Sequence, residues 1–217
     1  MYDAFIRRTA TSYDTLAEDY ARRFHHEMDH KPFDRHMLLW LAGRVGDAGT
    51  ICDLGCGPGQ VAAYLKTCGA DVCGIDLSAE MVAQAARLHP DIPFQQDDML
   101  KLESVADGSL AGIAAFYSII HIPRDQVVTA LKQIKRALMP GGLLLLTFHI
   151  GDETRHFDDL WGHAVDVDFL FFETDAMKGY LAAAGFEITE AITRDPYPET
   201  VEVATRRAYF FARRPNV

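Results

Sequence analysis

No apolar stretch in this chain of 217 residues reaches the roughly 18 residues that cross a bilayer as a helix. The opening segment MYDAFIRRTATSYD lacks an apolar signal core, so the sequence predicts a cytoplasmic protein without a membrane partner. Cysteine is sparse: the four are Cys52, Cys56, Cys68 and Cys73, and no pair has Cys-x-x-Cys spacing. That argues against a disulfide framework and against the usual zinc spacings, and it predicts reduced thiols. Positive charge is also short. The formal net charge is −10, which argues against the broad basic face that non-specific nucleic-acid binding requires. Arg206, Arg207, Arg213 and Arg214 form the one basic cluster, and they read as solvated charges flanking a last strand. Internal repeats, low-complexity tracts and Gly/Ser linkers are missing as well. What remains is an ordinary globular composition, 49% hydrophobic and 24% charged, able to bury one core as a single domain over 1–217.

Periodicity then orders the chain. Ser12 is placed to cap a helix over YDTLAEDYARRFHHEM, ended before Pro32, and Phe33, Met37, Leu41 and Val45 mark the buried stripe of a second helix. From there strand and helix alternate. TICDL reads as a buried strand, GQVAAYLKTC as a helix stopped at Gly69, and DVCGID as a strand. AEMVAQAARLH reads as a helix capped by Ser78, and IPFQQ and GIAAFYSI as further strands. Pro123 opens a helix whose buried face carries Val127, Leu131, Ile134 and Leu138. PGG turns the chain into LLLLTFH, an apolar run suited to a strand covered on both faces. Thr174 to Ala184 is helical with Gly185 as its cap, and FEITEAIT and VATRRAYFFA close the chain as two strands with no helix between them. The pattern predicts a doubly wound, mainly parallel α/β sheet of Rossmann-like kind whose last strand runs antiparallel.

The stretch ICDLGCGPGQVAAYL carries the strongest signal. Gly55, Gly57 and Gly59 occupy every second position where a buried strand becomes a helix, which in an open parallel sheet is the crevice where ligands bind. Glycine lets the backbone take positive φ and approach a ligand closely, and the helix start beyond offers unpaired N–H groups. Asp76 ends the following strand, where a carboxylate can take both hydroxyls of a ribose. The dinucleotide pattern Gly-x-Gly-x-x-Gly fails at Gln60, and no Gly-Lys-Ser/Thr follows to make a Walker loop. Asp53, two residues before the first glycine, would repel a pyrophosphate. It suits an ammonium group, or it holds the loop through backbone N–H bonds.

At these residues the sequence resembles the class I S-adenosylmethionine-dependent methyltransferases. The resemblance runs from DLGCGPG through GIDLS, DDM, FYSIIHIP and LMPGGLLLLTF, covering about residues 50 to 150, with AAAGF and the terminal strand pair matching a seven-stranded sheet. It implies S-adenosyl-L-methionine as cofactor and a cofactor-binding core over 50–150. Gly55, Gly57 and Gly59 would shape the methionine-side pocket and Asp53 its charge. Asp76 would bind the ribose, with Leu77 beside the adenine. Asp98 and Met99 match an acid–methionine pair whose acid meets the adenine amino group, Asp97 being the alternative one residue earlier. Phe116 and Tyr117, at the end of the fourth strand, would lie beneath the sulfonium. One departure is visible: many relatives begin that strand with an acid, and LAGIAAF offers Ala111 or Gly112.

The resemblance also makes residues 1–46 an N-terminal helical lid, in which YDTLAEDY would bring Tyr20 to the cofactor's carboxylate, or would simply pack its tyrosines on the sheet. Residues 151–173 become an acceptor-pocket insertion. Its segment RHFDDLWGHAVDVDFLFFE is rich in aromatics, VDVDFLFF alternates like a short strand, and Trp161, Phe169 and Phe171 are the candidates to line an apolar pocket or to cap the core. His121 follows the fourth strand and is the candidate general base, or else a tether for its loop. His26 and His30, one helical turn apart in FHHEMDH, lack a second ligand set, so no metal is expected. The function expected is methyl transfer by in-line displacement to a small-molecule acceptor, by a monomer or homodimer with no nucleic-acid partner. Two alternatives share the architecture. A nicotinamide-dependent reductase is disfavoured by the missing third glycine and the lack of Tyr-x-x-x-Lys; a non-catalytic cofactor-binding domain is disfavoured by the aromatic insertion.

Overall fold

The computed structural model describes residues 2–216, the side chains of Tyr2 and Asp3 apart. The first residue of the lid segment and the last residue of the domain therefore lie outside the described residues. Helix α1 (Tyr2–Phe24) leads through a 3-10 turn to α2 (Pro32–Val45). Then come β1 (Ile51–Leu54), α3 (Gln60–Thr67), β2 (Val72–Asp76), α4 (Ala79–Leu88), β3 (Phe94–Gln96), β4 (Leu110–Phe116), α5 (Val127–Ala137) and β5 (Leu138–His149). A hairpin, β6 (Thr154–Leu160) and β7 (His163–Leu170), precedes α6 (Thr174–Ala184), β8 (Glu187–Arg194) and β9 (Arg207–Arg213).

Seven strands form one sheet in the order β3-β2-β1-β4-β5-β9-β8, and β6-β7 stands apart as a two-stranded ribbon. β1 to β5 are mutually parallel, while β9 pairs antiparallel with both β5 and β8. The strand order reverses between β1 and β4, the switch point at which open α/β sheets bind ligands. The apolar runs are explained by coverage of both faces. Leu144, Leu146 and Phe148 of β5 join Phe210 and Ala212 of β9 under α5 and α6. Leu143 and Leu145 alternate to the other face, with Tyr209 and Phe211, under α2 and α3.

Several local expectations change. Ser12 caps no helix: α1 begins ten residues earlier in the chain, at Tyr2, and Ser12 is buried within it, its hydroxyl accepting the Asp166 N–H at 2.8 Å. The same helix stops at Phe24, with the Glu27–His30 turn following. Leu138 is fully buried but opens β5 instead of ending α5. The insertion is a hairpin whose first arm, TRHFDDL, shows no strand-like alternation of burial. At the head of β4, a Cβ on Gly112 would lie 3.0 Å from Val45 and 3.2 Å from Ile51, so an acid has no room there. Among the described residues no helix is long and apolar enough to cross a membrane.

Candidate functional site

Two adjoining cavities, of about 260 Å³ and about 60 Å³, open at the carboxyl ends of the parallel strands. Gly55, Asp76 and His121 line both, so the two are halves of one elongated site.

The glycine loop is shaped by close approach. Gly55 has φ +77°, and a Cβ there would stand 2.2 Å from the Cβ of Ser118, whose hydroxyl donates to the Leu54 carbonyl at 2.6 Å. Only glycine allows the loops after β1 and β4 to meet so closely. Gly57 lines the larger cavity beside Tyr20. Gly59 lines neither cavity; its would-be Cβ points at Phe94, 2.8 Å away, so its task is to cap α3 against β3. The Asp53 carboxylate is buried, accepts the Ala62 N–H at 2.9 Å and borders the larger cavity, and burial raises its pKa well above the ordinary carboxylate value. Asp76 accepts N–H bonds from Gly57 at 2.8 Å and Ser78 at 2.9 Å, one on each oxygen. A carboxylate has about four lone-pair sites, so both oxygens keep capacity for a diol. Burial raises its pKa too, against those two N–H bonds that lower it.

The smaller cavity lies beyond Asp76 and brings together Leu77, Asp97, Asp98 and Met99 with Ile75 and Ile122. Asp97 is tied to its own loop, accepting from the Ser104 N–H at 2.8 Å and hydroxyl at 2.5 Å. Asp98 accepts from the Leu100 N–H at 2.9 Å. An apolar slot with a carboxylate at its edge suits a planar base bearing an amino group.

The larger cavity holds Tyr20, Phe116, Tyr117, His121 and Phe169. Tyr117 has φ +54°, uncommon for a bulky residue. It is held there by its N–H to Thr147 Oγ1 at 2.8 Å and by its hydroxyl, 2.8 Å from that of Tyr209. His121 is tethered at both nitrogens. Nδ1 lies 2.9 Å from the Asp168 carbonyl and Nε2 2.7 Å from the Tyr13 hydroxyl. A carbonyl only accepts, so Nδ1 carries the proton and the Tyr13 O–H donates to the Nε2 lone pair. Burial lowers its pKa to about 4, keeping the ring neutral.

Ion pairs line the far end. Glu27 is held by Lys31 at 2.6 Å and Gln60 at 2.7 Å. Glu202 is held by Arg194 at 2.6 Å and Arg207 at 2.9 Å, and Arg194 also reaches the buried Asp34 at 2.9 Å. Tyr13, Glu27, Lys31, His149 and Glu202 were not candidates from the sequence, and Arg207, expected as a solvated charge, is instead buried and paired with Glu202. Tyr13 was legible as the tyrosine two helical turns before Tyr20. His149 was legible as the polar residue ending an apolar strand. Glu27 and Lys31 carried only the i,i+4 spacing of an ordinary surface pair, which does not mark a cavity.

Trp161 and Phe171 do not line either cavity. Trp161 sits at the hairpin tip with φ +58°, packed on Tyr20 and Phe24 and covered by Arg23. It supports the lining from behind. Phe171 is buried against His149, 5.2 Å between ring centroids. Among the described residues no group of three or more His, Cys, Asp or Glu side chains could hold a metal ion; His26 is exposed and 3.6 Å from Asp29.

Residues 51–142, the glycine loop through the start of β5, match the family described as "Methyltransferase domain". The chain is 29% identical over 139 residues to the putative methyltransferase YqeM of Bacillus subtilis strain 168, covering 62% of this chain and 56% of that protein. It is 28% identical over 142 residues to malonyl-[acyl-carrier protein] O-methyltransferase of Enterobacter lignolyticus, covering 65% of this chain and 54% of that one. The chain thus matches little more than half the length of these curated relatives. In fold it superposes on a DhpI–SAH complex with a TM-score of 0.72, covering 98% of both chains at 20% identity. The matched domain and the fold make the chain similar to the class I S-adenosylmethionine-dependent methyltransferases.

Proposed function

We propose that the protein transfers a methyl group from S-adenosyl-L-methionine to a small-molecule acceptor by in-line displacement. The observation that carries the reading is Asp76, shared between a slot fit for an adenine and a larger aromatic cavity that opens on the glycine loop. The residues fit the cofactor chemically. Asp76 would take the ribose hydroxyls, Leu77, Asp98 and Met99 the adenine, and Gly55, Gly57 and Tyr20 the amino-acid end, with Asp53 supplying negative charge nearby. When bound, the cofactor supplies an electrophilic methyl on a positively charged sulfur. The chain then has to align the acceptor and exclude water, and alignment alone can account for much of the acceleration. Phe116, Tyr117 and Phe169 would bound the reaction zone. Helix α1 is the lid of this reading and the β6–β7 hairpin its brace. With a net charge of −10 the protein suits a cytoplasmic role on small molecules better than one on nucleic acid.

Calorimetry tests the assignment. S-adenosylhomocysteine should bind at micromolar strength or better, with no comparable binding of NADH or NADPH. Tight nicotinamide binding without adenosyl binding would overturn it.

A further inference from the structure

Six proton-accepting side chains border the larger cavity, and His149 alone among them is an imidazole with one nitrogen that no donor of the described residues reaches. His121 has Tyr13 on Nε2 and the Asp168 carbonyl on Nδ1. Glu27 is held by Lys31 and Gln60, Glu202 by Arg194 and Arg207, Asp53 by the Ala62 N–H, and Asp76 by two N–H groups. The sixth is His149, the last residue of β5. Its ring stacks on Tyr117 and packs at a tilt on Phe171, 5.2 Å from each, so its orientation is set by these two rings. Nδ1 lies 2.8 Å from Thr205 Oγ1, and that hydroxyl faces the Val203 carbonyl at 3.5 Å. The hydroxyl can turn its proton to that carbonyl, and Oγ1 then accepts from Nδ1–H. Nε2 then presents a lone pair, with no donor to it among the described residues.

We infer that His149, not His121, is the group that takes the acceptor's proton during methyl transfer; this rests on the methyl-transfer reading above. The acceptor's reacting atom therefore carries a proton, as a hydroxyl or an N–H does. As that atom's lone pair forms the new bond to the methyl carbon, its proton passes to Nε2. The sulfur keeps the electron pair of the broken bond, so the positive charge leaves the sulfonium and appears on the imidazolium. Arg207 of β9, Lys31 before α2 and Arg155 on β6 disfavour a charged His149 ring, against the Glu202 carboxylate, which favours one. Burial first and the Arg207 charge second lower its pKa to about 3. So weak a base suffices, because the acceptor's proton becomes strongly acidic only as the methyl arrives. His121 becomes a positioning residue that fastens α1 to the site.

The test is the tautomer. Protein labelled with ¹⁵N-histidine and saturated with S-adenosylhomocysteine should show His149 at pH 7 with a pyrrole-like Nδ1 and a pyridine-like Nε2. His149→Gln assigns the signals, and Thr205→Val, which leaves the ring in place, should move them towards the opposite tautomer. A pyrrole-like Nε2 in the wild type, or a doubly protonated ring, would overturn the inference. With an acceptor found by screening hydroxyl and amine compounds, His149→Gln should lower kcat by about 100-fold or more and leave S-adenosylhomocysteine affinity within about two-fold. Full turnover in that variant would also overturn it. Failure to bind S-adenosylhomocysteine on the same sample would count against methyl transfer itself, whatever the tautomer.

Discussion

At the scale of single residues, Asp76 does two things at once. It ties Gly57 and Ser78 by their N–H groups and stands where the two cavities meet. Its removal takes away charge-assisted bonds worth about 1.5–3 kcal/mol. Asp76→Ala should weaken S-adenosylhomocysteine binding by roughly ten- to a hundred-fold, read by calorimetry, and unchanged affinity would mean the ribose lies elsewhere. Tyr117 shows a different residue-scale effect. Left-handed backbone in a non-glycine residue costs roughly 1–3 kcal/mol and survives only where the surroundings dictate it; here Thr147, Tyr209 and His149 do so. Gly55, Gly57 and Asp76 could be read from the sequence because strand, turn and strand end are close in the chain. Trp161 could not be placed the same way. An aromatic in an insertion can face the cavity or back its wall, and only the hairpin register, Leu160 opposite His163, puts it at the tip.

Among the elements, α1 and the β6–β7 hairpin act as a pair. Arg8 bridges Asp166 at 2.7 Å and Asp168, Ser12 takes the Asp166 N–H, and Trp161 covers Tyr20 and Phe24. The Arg8–Asp166 pair is partly exposed, at 31% and 55% of the side chains, so it adds only about 0.2–1 kcal/mol. The aromatic contacts should matter more. Trp161→Ala is expected to speed amide exchange in the last two turns of α1 and leave β1, β4 and β5 as protected as before. If exchange is equal in variant and wild type, the hairpin does not brace the helix. The start of α1 misled the sequence reading for a physical reason. Ser12 is a good cap by type, but its hydroxyl is used across 154 positions of sequence, on Asp166, which no local pattern reveals.

For the whole molecule, the antiparallel strand β9 lies between β5 and β8 and carries the fully buried Phe210. Phe210→Ala should cost about 3–5 kcal/mol, a large share of ordinary domain stability, and denaturant unfolding would show it. Acid should destabilise the fold through its buried imidazoles. His121 titrates at about 4 and His149 at about 3 when folded, against an ordinary 6.5, because burial disfavours the charged ring. Between about pH 6.5 and 4 the unfolded chain binds protons that the folded one does not, so their contribution is present above that window and is lost as pH falls through it. Asp53 and Asp76, raised by burial, act with the opposite sign but are common to wild type and variant. The stability advantage of wild type over His121→Asn should therefore shrink as pH falls from about 6.5 to 4. An advantage constant across that range would show that His121 is not held neutral by the fold.

The sequence by itself determined what depends on neighbours along the chain. The alternation of strands and helices, the antiparallel last strand, the glycine turn and the acid closing β2 all follow from local period, backbone freedom and the order of elements. Tertiary structure alone decided which side chains share the cavity. Glu27 pairs with nearby Lys31 and Glu202 with nearby Arg207, but only the fold brings these two distant segments to one cavity, and a meeting across space leaves no periodic trace. The same holds for the two histidines. His121 and His149 both end strand-side segments of the sheet and look alike in sequence. Their difference lies in their partners: Tyr13 and the Asp168 carbonyl occupy both nitrogens of His121, whereas Thr205 engages only one nitrogen of His149.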